Sequence, residues 1–356
     1  MGFLSNTKTV YSLMMAALLA GISTQAMSQT KVVVVPLMSD PVPLANVVTV
    51  AKKNGDFTDP ISAIESITDA LASNPYLIVI GPGIYDIGSQ RMSMKDHVHL
   101  AGSGRQVTVI KGAVNNPDDN GEGAMVTAAN NSSIRDLTLE NFSAGGFSTI
   151  IRSSISTVLE ILNVDLNSTG LGDQTAIRNL SGPFSTPVKL SNVNISVTTK
   201  ATGSPVNGYG VRNNISSDAE LDNVSIVIDG GSNNSYGVLN DNGTANISNS
   251  DIKIVNSTGS RIGVANSGNS FSTISNSNIE ADGPVAALAA GAMNFSSFGR
   301  LRIFNSTLTG AVNAVRADSG SGVNESIILN SILDGSVTGD PVCSSTFSPT
   351  GAAVTC

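Results

Sequence analysis

The sequence predicts an all-β fold: a single-stranded right-handed parallel β-helix, a solenoid, with an amphipathic helix capping its N-terminal end. Three observations carry this. A six-residue unit of the form [LI]-x-N-x-x-[IL] recurs along the chain, a second short unit recurs between its copies, and the composition suits a thin core. The first unit reads ILNVDL at 161–166, LSNVNI at 190–195, LDNVSI at 221–226, ISNSDI at 247–252, ISNSNI at 274–279, IFNSTL at 303–308 and ILNSIL at 328–333, with a degenerate copy around Asn141. Its asparagines stand 22 residues apart between Asn141 and Asn163 and up to 31 apart between Asn192 and Asn223. Self-similarity at such a period marks a stack of structural repeats, each contacting only its neighbours.

The second unit reads TIIR at 149–152, TAIRN at 175–179, YGVRN at 209–213, YGVLN at 236–240, IGVAN at 262–266 and NAVR at 313–316. Each period therefore holds at least two short segments with alternating apolar residues, separated by Ser, Asn, Gly and Asp clusters that make turns. No apolar pattern of helical period and length interrupts them between Ser132 and Ser336. Winding the chain so that equivalent positions stack lets every coil pair with the next at about 4.8 Å, so that about ten coils make a body roughly 50 Å long. An asparagine at one fixed turn position fits this winding, because Asn tolerates the left-handed conformation and its amide can bond the Asn above and below. The sequence thus predicts an asparagine ladder inside the coil. Charged residues at 13%, aromatics at 4% and the absence of Trp agree with a core of stacked Ile, Val and Leu rather than one of aromatic bulk.

Residues 1–28 read as an export signal, with Lys8 before the apolar run Leu13 to Ile22 and small residues up to Ala26 and Ser28 for cleavage. No later segment approaches the roughly 20 apolar residues of a membrane span, so the processed chain is expected to be secreted or periplasmic without one. Residues 29–112 supply an N-terminal strand, the capping helix and the first coils. There Asp59 is placed to cap a helix with Pro60 at its first position, and Ile61, Ile64, Ile67 and Leu71 form one apolar stripe over the open end of the stack. Residues 113–338 hold the repeat coils, and 339–356 a C-terminal cap. In an oxidising compartment Cys343 and Cys356 can pair, and a loop of that size stabilises by about 3 kcal/mol in the chain-entropy account.

The net charge of −8 disfavours nucleic acid as a partner, since phosphate neutralisation needs Lys and Arg that are scarce here. His97 and His99 alternate in HVHL and so share a strand face, but zinc requires further ligands that no nearby residue supplies. The loop Asn116 to Gly121 resembles the start of a calcium loop, yet Thr127 stands where the bidentate Glu belongs. No metal site or cofactor is expected, with weak calcium binding at that loop as the one alternative. The Asn-x-Ser/Thr sequons, among them Asn167, Asn246 and Asn305, follow from the crowding of Asn and Ser into turns.

From Val47 to Gly112 the segments VVTVAKKNGDFTDPISAIESI, LIVIGPGIYDI and HVHLAGSGRQVTVIKG resemble the opening of pectinesterases and other pectin lyase-like β-helix proteins. The GDFTDPISAI stretch is similar to that family's entry and capping helix, and GPGIYDI to the strand and turn before its first coils. The resemblance implies carbohydrate as the substrate class, but it covers the cap and not the chemistry. The Gln-containing and Asp-Phe-Ile-Phe-Gly segments of pectinesterases and the Asn-Thr-Asp, His-Gly and Arg-Ile-Lys segments of polygalacturonases are absent. The Trp-bearing signatures of pectate lyases are impossible in a chain without Trp.

Arg152, Arg178 and Arg212 occupy one place in three successive copies of the second unit, so they are expected to point outward and stack along one face. Such a column could hold the carboxylates of a polyuronate, because guanidinium presents a bidentate fork to that group; pairing with nearby acids such as Glu160 or Asp173 is the plainer alternative. Tyr209 and Tyr236 precede the same unit and could stack on sugar rings. An ester-cleaving site would need a carboxylate nucleophile and a second carboxylate to shuttle the proton; Asp165, expected one strand from the arginine face, is the best placed, with no partner identifiable. Because every catalytic segment is missing, the expected function is non-catalytic: an exported, adhesin-like β-helix binding a polysaccharide or cell-surface glycan. The alternative is a divergent esterase or lyase on acidic polysaccharide.

Overall fold

In the computed structural model, residues 46–354 are described except 116–123, 155–157, 181–186, 201–204, 282–287, 296–297, 318–324 and 340. The signal segment and the calcium-like loop therefore lie outside the described residues. The chain winds as a right-handed parallel β-solenoid of about nine turns. Each turn contributes to three parallel sheets. The first sheet contains Asn46–Val50, Tyr76–Ile80, Val98–Ala101, the leading halves of Ser132–Ser143, Leu159–Gly170, Val188–Thr199 and Asp218–Gly230, and then Thr244–Ser248, Phe271–Ser275, Arg300–Phe304, Glu325–Leu329 and Val342–Ser344. The second takes the trailing halves of the long strands together with Thr108–Gly112, Asp251–Val255, Asn278–Ala281 and Ile332–Thr338. The third is built from Ser148–Ser153, Gln174–Asn179, Gly208–Asn213, Asn234–Asp241, Ser260–Ser267 and Ala289–Asn294.

Register explains the core. In the first sheet Leu100, Ile134, Ile161, Leu190, Leu221, Ile247, Ile274, Ile303 and Ile328 lie directly above one another. All of them are within 1% of complete burial. A matching column in the second sheet runs from Ile110 through Leu139, Leu166, Ile195, Ile226, Ile252 and Ile279 to Leu308. These are the first and sixth positions of the repeat unit, so the [LI]…[IL] spacing is the spacing of two inward-facing rows.

Between the two rows the chain bends at a residue with positive φ in eight successive coils: Asp136 (55°), Asn163 (56°), Asn192 (54°), Asn223 (54°), Asn249 (51°), Asn276 (50°), Asn305 (48°) and Asn330 (50°). The left-handed conformation expected of these asparagines is present, but two details differ. The copy of the unit before Asn163 is IRDLTL, with Asp136 at the bend, and Asn141 instead lies buried at the end of its strand, where its amide bonds both Val114 N and Val114 O. The ladder at the bend also runs outside the coil. Asn192 donates to Asn163 at 3.1 Å and Asn223 to Asn192 at 3.3 Å, on the exposed side. A bend that turns the backbone inward points its side chain out, away from the core.

A second, buried ladder belongs to the other unit. The asparagines that close YGVRN, YGVLN and IGVAN stack in register. Asn213 Nδ2 donates to Asn240 Oδ1 at 2.7 Å, and Asn240 Nδ2 to Asn266 Oδ1 at 3.1 Å, all three fully buried. The glycines of the same unit have a different cause. A Cβ on Gly237 would lie 2.3 Å from Ile252 Cγ2 and 2.5 Å from the carbonyl oxygen of Gly263 in the next coil, so the third sheet approaches the second too closely for any side chain there.

The one helix among the described residues, α1 (Pro60–Ser66), begins as expected: Asp59 caps it by accepting from Ser62 N at 2.8 Å, with Pro60 at the first position. Ile61, Ile64 and Ile67 are buried against the first strands. The stripe stops there, because the helix ends at Ser66 and Leu71, beyond it, is 60% exposed. At the far end Val342–Ser344 adds a last rung to the first sheet, and Phe347 bridges to Ile332. Cys343 is disulfide-bonded, and Cys356, the other cysteine of the chain, lies outside the described residues.

Candidate functional site

The strands of the third sheet place Arg152, Arg178 and Arg212 in one column, Arg152 opposite Arg178 and Arg178 opposite Arg212. The column has the expected register, at the rung spacing of about 4.8 Å. Tyr209 and Tyr236 also lie on adjacent rungs. Their rings stack with centroids 5.6 Å apart and planes at 10°, and the Arg212 guanidinium sits 5.0 Å above the Tyr209 ring. A guanidinium over an aromatic face is held by the ring quadrupole, an interaction worth about 0.5–1 kcal/mol where exposed. The face is less open than its outward direction implies. Arg178 is 7% exposed and Tyr209 8%, shielded by the rungs on either side, whereas Arg152, Arg212 and Tyr236 are half-buried. The acids near this face have other engagements. Asp173 accepts from both the backbone N and the amide of Asn207 at 2.8 Å, and Glu160 acts on Arg135.

Asp165 stands on the second sheet, across the turn at 171–173 from the arginine column, and the guanidinium that meets it is that of Arg105. The two ion-pair at 3.1 Å, with side-chain exposures of 21% and 13%. Arg105 Nε also donates to Asn163 Oδ1 at 2.7 Å, and Asn194 Nδ2 donates to Asp165 Oδ1 at 2.8 Å. Asp165 lines a concave site of about 410 Å³ together with Gln106, Lys111, Thr138, Glu140 and Asn167. This site adjoins a groove of about 350 Å³ that includes the exposed Phe142. Glu140 pairs with Lys111 at 3.1 Å. Glu140 is thus a second carboxylate lining the same concavity as Asp165, one that sequence reasoning did not single out. It had a usable signal: counted from the bend residue, Glu140 is four positions past Asp136 as Asn167 is past Asn163, so both fall in one outward column. Arg105 precedes the repeats and carried no such signal.

The two histidines do not share a strand face, because His97 has φ 59° in the turn and the strand starts at Val98. His99 Nδ1 lies 2.9 Å from Ser133 Oγ. Burial, and then the nearby Arg135 charge, push the imidazole pKa down to about 4. The outer bend edge forms a third concavity, a groove of about 560 Å³ lined mainly by asparagine, serine and threonine from Asn192 to Thr307, with Asp251 as its one acid.

Neither a family model nor a curated protein matches the chain. Solved structures do. The pectin methylesterase of Aspergillus niger superposes with a TM-score of 0.50 at 14% identity, covering 75% of this chain and 86% of that one. The fold is that of the pectin lyase-like β-helices. Carrot pectin methylesterase (TM-score 0.39, 17% identity, 80% of this chain and 91% of that one) and the A-module of a mannuronan C-5 epimerase of Azotobacter vinelandii (0.34, 17%, 82% and 95%) are also similar. At these identities the likeness concerns the β-helix alone and assigns no residue. No helix among the described residues is long and apolar enough to cross a membrane.

Proposed function

We propose that this β-helix is an exported, non-catalytic protein that binds acidic polysaccharide along its third sheet. The observation that carries the reading is the column of Arg152, Arg178 and Arg212 in consecutive rungs beside the stacked Tyr209 and Tyr236. A linear polyuronate presents carboxylates and ring faces at regular intervals. Guanidinium groups repeating once per coil offer bidentate partners to the first, and a half-buried Tyr236 offers a surface to the second. Arg152, Arg212 and Tyr236 make the contact, while the buried Arg178 and Tyr209 fix their geometry.

The test is retention of the processed protein on immobilised polygalacturonate and alginate, with soluble products analysed in parallel. The reading expects retention that weakens about tenfold in the Arg152→Ala/Arg212→Ala double variant and yields no methanol, reducing ends or unsaturated sugars. A second reading, an esterase or lyase on the same polymers, is favoured by the concave site that gathers Asp165, Glu140 and Lys111 with Arg105 beside them. Product release that disappears in Asp165→Ala would replace the first reading with the second.

A further inference from the structure

The groove along the bend edge shares no lining residue with the arginine column or the concave site around Asp165, which it meets only where Asn194 bonds Asp165, and about half of its polar residues are not ones the backbone demands there. Five coils contribute, each giving a left-handed asparagine and, two residues later, an outward strand residue: Asn194, Ser225, Asp251, Asn278 and Thr307. Register stacks these five directly over one another. The left-handed asparagines are explained by the bend. The strand positions are not: Asn and Asp are disfavoured in strands, where β-branched residues fit the pleat better, yet three of the five are Asn or Asp and exposed. No lysine or arginine lines the groove, and its single acid, Asp251, already accepts from Asn278 at 2.8 Å. Each amide that bonds along the column spends one donor and keeps a second N–H and oxygen lone pairs for another partner. Five coils span four steps of about 4.8 Å, about 19 Å, and one step is close to the advance of a hexose in an extended chain.

We infer that this edge is a binding track for an extended, neutral, β-linked polysaccharide lying parallel to the solenoid axis, its hydroxyls bonded by amides and hydroxyls that repeat once per coil. The ligand is uncharged because the groove offers no cation to a carboxylate. The inference is independent of the arginine face, and its test separates the two. Cello-, manno- and xylohexaose are titrated into ¹⁵N-labelled full-length protein while backbone amide shifts are followed. The expected result is that at least one hexasaccharide perturbs amides around Asn194, Ser225, Asp251 and Asn278, with an affinity unchanged between 10 mM and 0.5 M salt, over which the Debye length shortens from about 30 Å to about 4 Å. Affinity falls at least tenfold in Ser225→Arg/Thr307→Arg, which fills the groove, and in Asn194→Ala/Asn278→Ala, which strips it, and is unchanged in Arg152→Ala/Arg212→Ala. Absence of shifts with all three sugars, shifts elsewhere, or binding that survives both groove variants would overturn the inference.

Discussion

Asn240 is the residue on which the buried ladder turns. Its amide donates to Asn266 Oδ1 and to Ser272 Oγ at 2.8 Å, and its oxygen accepts from Asn213. Replacing it with Ala removes these three buried hydrogen bonds, leaving the Asn213 amide only Thr244 O and Asn266 Oδ1 only Ser272 Oγ, at a cost of about 2–3 kcal/mol. Asn223→Ala, at the exposed ladder, keeps its neighbours in water and loses about 1–2 kcal/mol through left-handed strain alone. Urea denaturation of both variants measures the difference. His99 supplies a pH dependence. Its folded pKa of about 4 lies below the ordinary value of 6.5, so the unfolded chain binds the proton more readily. Stability is therefore present above about pH 6.5 and is lost as pH falls toward 4, by on the order of 3 kcal/mol at most. Thermal melts from pH 7 to 4 should fall less steeply in His99→Gln, and an unchanged slope would remove His99 as the cause. At this scale the sequence announced the left-handed asparagines, but the ladder it placed inside the coil faces out at the bend. Tolerance of positive φ is a backbone property, and the same residue type serves both the exposed and the buried ladder.

The glycine of YGV and IGV sets the contact between the third and second sheets. Gly237→Ala forces a Cβ against Ile252 and a backbone carbonyl, and overpacking of this kind costs about 3 kcal/mol. Gly145→Ala, with nothing within 4 Å of the added carbon, should be nearly neutral. Equal losses would contradict the packing account. At the N-terminal end Ile64, 1% exposed, anchors α1 over the first coils, and Ile64→Ala should lose about 2–5 kcal/mol while exposing the first strand edge. Increased aggregation on mild heating would report that exposure. Element starts were legible because caps act locally: Asp59 and Pro60 announce α1 by their own chemistry. Its end was not, since the apolar spacing continues to Leu71 after the helix hydrogen bonding has stopped.

The whole molecule was the most legible scale. Seven copies of one unit fix inward rows, bend and coil period together, so the solenoid follows from register alone. The surfaces were less so. The arginine column followed from counting within the repeat, but its partial burial depends on the rungs around it. The pairing of Asp165 with Arg105 joins a repeat to a loop outside the repeats, which no period encodes. The account's central claim is that the arginine face holds an acidic polymer. The most direct measurement is the affinity of a galacturonate hexamer for the wild-type protein and for Arg152→Ala/Arg212→Ala at two salt concentrations. Binding that weakens with salt, and weakens about tenfold in the double variant, is the predicted result. Wild-type affinity in the double variant, or no binding at low salt, would contradict it.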